Sequence, residues 1–517
     1  MGYGYLYVFG MTLAIYTAVR EGKPIFSLSE FTKYSWIPLN FVMIPFLIFS
    51  MNIGKSNNSV FDTIDISPKE KSLAKILTVE TIGAYILIAN ILVFLVIGII
   101  CRVSIGYLLY QSLGCIINNM VIFITCGAIG LFIGQVVSRK VGDVLAFIII
   151  IAIFISLCNF YKFRVFIVPL YYIRQFPNNF DIFNYDKTYF YHNILWLIVS
   201  YMILKITFYK EYKKEKSTSI RTIAVIGVAF GLSIFLIINL HSSLPDFLDI
   251  GRNMFEPFGS EYMQKAGSFR NEEENKYYAY KYKMNIELDT KLKSSCEIEL
   301  KMLQDNVNSL ELGLFNKLNI TKVEIEDTKL DFKRTNNSVI INIPRECKNG
   351  DVIDLKIDYE GNINTVWGYK FNNEWRSQYQ QLFYVKKNLL ALGGVFEWYP
   401  KQNDGREKEY SLDVKYNSKN KLYSNLEGSP SSTGWKFQGS DKEIVLVSGH
   451  NIKERVYKGN LFIGNEEYIN SDKTCDNLLN IKEKDKALNE VKKFIQVPLD
   501  YYIKECYEKV YINGWYR

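Results

Sequence analysis

Histidine is nearly missing from this chain of 517 residues: His192, His241 and His450 are all it has. No two stand four apart, so the H-E-x-x-H helix of zinc hydrolases is absent. No metal site, no cofactor and no catalytic residue are therefore expected. Cysteine occurs eight times but never as C-x-x-C, which argues against a structural zinc site and a redox pair. Cys101, Cys115, Cys126 and Cys158 lie in or beside apolar sequence and read as buried thiols. Cys296, Cys347, Cys475 and Cys506 lie in polar sequence and read as free or loosely paired. A Walker A loop is missing too: Gly54-Lys55-Ser56 has its ending, but Phe49 stands where its first glycine belongs. The net charge of +8 is spread along the chain, so nucleic acid is not an expected partner. With 49% hydrophobic residues, a disordered, collagenous or disulfide-scaffold chain is excluded.

The first half instead has long apolar runs. Seven reach spanning size, at about 2–19, 34–53, 80–101, 115–137, 142–159, 190–209 and 221–240; a helix needs roughly 20 apolar residues to cross a bilayer. The first starts at Met1 with no basic lead and no cleavage site, so it reads as an anchor helix. Lys55, Lys69, Lys71 and Lys75 follow the second run, Arg139 and Lys140 the fourth, and Lys210, Lys213, Lys214, Lys216 and Arg221 the sixth. Short basic connections stay in the cytoplasm. The expectation is a multi-pass protein of the cell membrane, its N-terminus cytoplasmic and residues 242–517 extracytoplasmic.

Within this half, Ser67, Pro68 and Glu70 spell a helix start: a capping serine, a proline at the first helical position and a glutamate three residues after the cap. The helix should run through Leu73 and Ile76 into the third span, either as a partner's grip or as an interfacial anchor. Gly127, Gly130 and Gly134 allow close helix approach, within the chain or at a homodimer seam. Asn118 and Asn119 serve an interhelical hydrogen bond or line a polar path. No carboxylate falls near the centre of a window, which disfavours an ion-driven carrier. The aromatic and basic stretch 161–176 reads as an interfacial helix.

After Pro245 the period changes to two. Tyr280, Tyr282, Met284, Ile286 and Leu288 alternate with polar residues, and so do the sets from Cys296, Leu310, Val339 and Ile353. Such alternation marks half-buried antiparallel strands, with turns at Asn349-Gly350 and Glu360-Gly361. Further strands are expected near 410–416, 444–447 and 456–463. Ala487, Val491, Phe494 and Ile495 have helical spacing, and a second helix falls near 501–510. The fold class is thus an α-helical polytopic membrane domain plus an all-β sandwich or saddle with a short helical C-terminal segment.

The layout of residues 1–210 resembles the type-2, exporter-type permeases of ATP-binding-cassette transporters. Phe61-Asp62-Thr63-Ile64-Asp65-Ile66-Ser67-Pro68 and the lysines to Lys75 look like that family's cytoplasmic loop. The resemblance implies that a separate ABC ATPase docks on Phe61, Ile64, Ser67, Pro68, Glu70 and Leu73, with a second permease copy as a further partner and the bilayer as surroundings. The family's cytoplasmic lead-in is short here, which leaves the start of the chain open.

The outer half resembles the N-terminal β domain of zinc aminopeptidases of the aminopeptidase N family. The carrying residues are the strands from Tyr280 and Leu310, then Leu318-Asn319-Ile320-Thr321-Lys322-Val323, Ile341-Asn342-Ile343-Pro344, Leu355-Lys356-Ile357-Asp358-Tyr359-Glu360-Gly361 and Phe396-Glu397-Trp398-Tyr399-Pro400. In that family catalysis belongs to the next domain, whose zinc motif this chain does not carry. Gln378 or Gln380 in Ser377-Gln378-Tyr379-Gln380 would take the substrate-amine contact or sit at a solvent-facing strand end; His450 reads as a turn residue. The expected order is a permease-like domain over 1–240, a linker over 241–277, the β domain over 278–470 and the helical start of a catalytic domain over 471–517. The combination, a bacterial arrangement, points to a non-enzymatic permease subunit, with a peptide as its expected cargo. The other readings are a membrane-anchored binding or scaffold protein and a truncated, inactive membrane aminopeptidase.

Overall fold

The computed structural model describes residues 36–55, 67–100, 103–136, 187–209, 216–242, 246–249, 276–470 and 494–496, apart from isolated positions in or beside these ranges. Two compact units emerge, in the main a helical one up to Leu244 and a stranded one from Pro245.

The helical unit contains α1 (Trp36–Lys55), α2 (Pro68–Ile100), α3 (Ile105–Val136), α4 (Lys187–Thr207) and α5 (Lys216–Ser242). These helices fall on five of the expected runs. Four of them, α2 to α5, are long and apolar enough to cross a membrane. The runs at 2–19 and 142–159, and the stretch 161–176, lie outside the described residues. Because Ser67 and Pro68 start α2 early, Glu80 lies a third of the way along it, beside Gly127 of α3. Glu80 is thus inside α2 but short of its centre.

Side-chain contacts fix the helix directions. Phe46 meets Phe123 edge-on at 5.4 Å, Gly130 backs onto Leu47 and Ser50, and Gly54 onto Leu131. Numbers rise together along this seam, so α1 and α3 are parallel. Gly83 faces Phe123 and Gly98 faces Leu108, so α2 runs antiparallel to α3. Tyr185 donates to the Tyr110 carbonyl, Tyr189 to that of Gly114, and Thr125 shares a hydrogen bond with Ser200. Each of these pairs is 75 residues apart, so α3 and α4 are parallel and in register. Leu195 packs with Leu236 and Leu240, and Ser233 reaches Met202, which makes α5 antiparallel to α4. The C-terminal ends of α1, α3 and α4 thus share one end of the unit with the N-terminal ends of α2 and α5.

The glycine step of α3 is an internal seam. A Cβ on Gly130 would come within 2.7 Å of the Leu47 carbonyl oxygen, and one on Gly134 would collide with the Met51 carbonyl. Helix α1 of the same chain occupies that face, as the within-chain reading of these glycines expects.

The stranded unit begins with β1 (Asp246–Asp249), β2 (Tyr277–Leu288), β3 (Leu292–Met302), β4 (Val307–Gly313) and β5 (Leu318–Ile325). Then come β6 (Thr328–Lys329), β7 (Phe332–Thr335), β8 (Ser338–Cys347) and β9 (Val352–Gly361). β10 (Asn364–Phe371), β11 (Glu374–Lys386), β12 (Leu389–Leu392) and β13 (Lys408–Tyr416) follow. Next are β14 (Tyr423–Ser424), β15 (Glu427–Ser431), β16 (Gly434–Asp441) and β17 (Leu446–Ser448). The hairpin β18 (Ile452–Tyr457) and β19 (Asn460–Asn465), the short helix α6 (Glu466–Ile469) and β20 (Phe494–Gln496) come last.

The main sheet has eight strands in the order β15-β16-β13-β2-β3-β9-β5-β6, and a second has six, β1-β10-β11-β12-β17-β14. Two smaller sheets are β4-β8-β7 and β18-β19-β20. Alternation decides the faces: Tyr282, Met284, Ile286 and Leu288 of β2 are buried, while Lys283, Asn285 and Glu287 are exposed. One continuous core takes residues from all four sheets.

Three readings of the pattern need correction. A bulge between Ala279 and Lys281 shifts the phase of β2, so Tyr280 turns outward and donates to Glu299 at 2.6 Å. The single strand expected at 456–463 is a hairpin, turned by Lys458 and Gly459 with φ of 48° and 73°. Phe494 and Ile495, expected on a helix, lie in β20 and pair in parallel with β19. Strand pairing, which spacing alone does not show, overrides local periodicity there.

Candidate functional site

The basic end of the helical unit is built on the first turns of α2. The Ser67 amide and hydroxyl both donate to Glu70 Oε2, at 2.9 and 2.8 Å. The Glu70 amide returns to Ser67 Oγ at 3.3 Å. This reciprocal cap satisfies amides that a helix start leaves open. The Lys71 amide closes the first turn on the Ser67 carbonyl at 3.1 Å.

Lys75 ties this turn to its neighbours. Its side chain is buried, and Nζ donates to the Gly54 carbonyl at 3.1 Å. That carbonyl belongs to the last turn of α1, where a cation complements the helix dipole. Gly54 itself backs onto Leu131 and Gly134 of α3, so three helix ends are fastened together. Ser72, Lys75 and Val79 point into the unit. Leu73 and Leu77, four residues apart on the other side, are 52% and 56% exposed. Lys55, Lys71, Lys205 and Arg221 lie toward the same end.

Of the residues assigned to docking, Ser67, Pro68 and Glu70 stand together at the helix start and Leu73 lies one turn on. Phe61 and Ile64 lie outside the described residues. Sequence gave no sign of the Lys75–Gly54 bond, because it joins positions 21 apart.

In the stranded unit, Gln378 and Gln380 lie on β11, in register with Tyr369 and Trp367 of β10. Their side chains lie outside the described residues. His450 occupies the turn after β17; burial, and then Lys453, hold its pKa below the usual 6.5. Cys296, Cys347 and Cys475 are unbridged and buried, the free one of the two states expected for them, though buried. Among the described residues no group of three His, Cys, Asp or Glu could hold a metal ion.

The loop after Pro400 brings a cluster that the sequence did not announce. Lys408 Nζ meets Asp404 Oδ1 at 2.5 Å, with both side chains at most 2% exposed. Burial pulls the Lys408 pKa down, against the nearby Asp404 charge. Lys401, also buried, reaches Glu443 and donates to the Gly394 carbonyl at 2.6 Å. Gln402 closes the cluster, accepting from the Ala279 amide at 2.7 Å and donating to the Tyr277 carbonyl at 2.8 Å. These side chains cross-link the loop to β2 and to the stretch before β17.

Comparison with solved structures finds zinc peptidases of the M1 family. An M1 zinc metallopeptidase from Deinococcus radiodurans is 11% identical, with a TM-score of 0.28, over 37% of this chain and 48% of that one. Yeast LTA4 hydrolase in complex with bestatin is 13% identical, with a TM-score of 0.25, over 36% of this chain and 31% of that one. The chain spans less than half the length of each. No protein-family model and no curated protein matches the chain.

Proposed function

We propose that this chain is the membrane-spanning subunit of an ABC-type transporter, carrying a β domain of peptidase type on the extracytoplasmic side. The observation that carries the reading is α2. It extends a membrane-length helix by a capped, partly exposed first section at the end of the unit where the basic connections converge. An ATPase partner needs such a rigid grip to pass movement to the membrane helices. The helix directions support the topology: α1, α3 and α4 run one way and α2 and α5 the other, as alternating spans require. By the bias of short basic connections the shared end is cytoplasmic, which sends the chain after Ser242 outward. A peptide is the cargo we favour, on the resemblance of the outer domain.

The test is a Leu73→Pro variant of the full chain, co-expressed with a candidate ATPase. Proline inside a helix costs about 3 kcal/mol. The variant should stay in the membrane fraction while co-purification of the ATPase and its stimulated ATP hydrolysis are lost. Undiminished co-purification, or ATP hydrolysis by the chain alone, would remove the docking assignment.

A further inference from the structure

The parallel pair α3 and α4 is stitched at both ends but not in its middle. Tyr185 bonds to the Tyr110 carbonyl at 2.5 Å and Tyr189 to that of Gly114 at 3.1 Å. Farther along, Thr125 and Ser200 are 2.9 Å apart. The same register sets Asn118 level with Asn193 and Val121 level with Trp196. Asn118 is 0% exposed, Asn119 1% and Asn193 3%. Asn119 donates within its own helix to Cys115, and Asn193 to the Tyr189 carbonyl. That leaves both amide atoms of Asn118, the Oδ1 atoms of Asn119 and Asn193, and Trp196 Nε1 buried without a hydrogen-bond partner. They fall within two turns of one helix pair.

Buried polar groups in proteins are nearly always hydrogen-bonded, to protein or to ordered water. In an apolar bundle the demand is stricter, because lipid supplies no partner. We propose that the layer of Asn118, Asn119, Asn193 and Trp196 is a binding site for small neutral hydrogen-bonding molecules, with water as its resident ligand. The donor and acceptor set favours such molecules over ions. Helix α3 has no Asp, Glu, Lys or Arg, and those of α4 are Lys187 and Lys205 at its two ends. An ion would find no counter-charge on either helix, whereas three amide oxygens and two kinds of N–H suit a molecule that both donates and accepts. A water needs two to four polar partners, and this layer offers more. The inference does not depend on the transport reading.

X-ray radiolytic footprinting of the full chain in detergent, in water labelled with oxygen-18, tests it. Bound water is activated in place and oxidises the side chain beside it. Trp196 should take up label despite the burial of its Nε1, and Asn118→Leu should abolish that label. Asn118→Thr keeps a hydrogen-bonding group and should restore it, which separates loss of the site from loss of packing. Absence of label on Trp196 in the unmodified chain, or label undiminished in Asn118→Leu, would overturn the proposal. So would failure of both variants to fold together with an unlabelled Trp196 in the parent.

Discussion

The two units dispose of their apolar side chains in opposite ways. On the helices, Leu77, Tyr85, Ile88, Leu92, Val96 and Ile99 of α2 are all exposed, and α5 shows Val228, Phe230, Phe235 and Ile238. In the stranded unit the large apolar residues turned outward, among the described residues, are Phe332, Val352 and Val456. Their polar groups differ as well. The stranded unit buries an ion pair, Lys408 with Asp404, whereas the helices bury mainly uncharged amides, with Lys75 tucked against the Gly54 carbonyl. The difference matches what two solvents would impose. Water drives apolar area inward, while lipid rewards apolar area outside and penalises charge within.

The sharpest way to break this contrast is to halve the buried ion pair. Asp404→Ala leaves the Lys408 ammonium buried without its paired carboxylate, and should cost about 3–5 kcal/mol in chemical denaturation of the stranded unit within the full chain. Asp404→Leu combined with Lys408→Met should recover most of that loss. A single variant of native stability would show that the pair is solvated.

One substitution made in both units compares the solvents directly. Leu92→Lys places a charge on an exposed apolar site of α2 and should cost about 3 kcal/mol of membrane insertion, read as the fraction integrated into membranes. Val456→Lys, at a site 72% exposed, should leave stability within about 0.5 kcal/mol. Equal effects would mean that both units meet the same solvent.

Packing gives a smaller effect. Gly134→Leu forces α1 away from α3 and should lower stability in detergent by about 1–3 kcal/mol. Gly227→Leu, where nothing lies within 4 Å of an added Cβ, should be tolerated. A Gly134→Leu chain as stable as the parent would argue that the α1–α3 seam is loose.

The smallest effect is a slope with pH. His450 has a folded pKa below 6.5 because of burial and Lys453, so the unfolded chain binds the proton first as pH falls. Stability of the stranded unit should therefore be full above 6.5 and decline in the acid window beneath it. His450→Gln should flatten that decline, measured as the denaturant midpoint against pH. An unchanged slope would assign the acid sensitivity to carboxylates.

Much of this architecture is written locally. Ser67, Pro68 and Glu70 mark the start of α2, because a cap is chosen within one turn of chain. The inward set of β2 from Tyr282 to Leu288 follows from a two-residue period that any half-buried strand must show. Tyr280 departs from that period because a bulge is one residue of extra chain, and nothing in Tyr280-Lys281 spells it. The Lys458-Gly459 turn hid inside an apolar run, since Val456, Leu461 and Phe462 read continuously across it.

By itself the sequence determined which segments could enter a membrane, which could alternate in a sheet, and which end of the helices would be basic. Each is a property of composition over a few turns. Only the tertiary structure decided which faces meet. It seated Gly130 and Gly134 on α1, set α3 and α4 parallel in a register that levels Asn118 with Asn193, and enclosed Lys408 with Asp404. These are contacts between residues from 4 to 83 positions apart, and their strength comes from excluding solvent on all sides. No window of sequence contains that condition, because the surroundings that exclude the solvent are supplied by the rest of the chain.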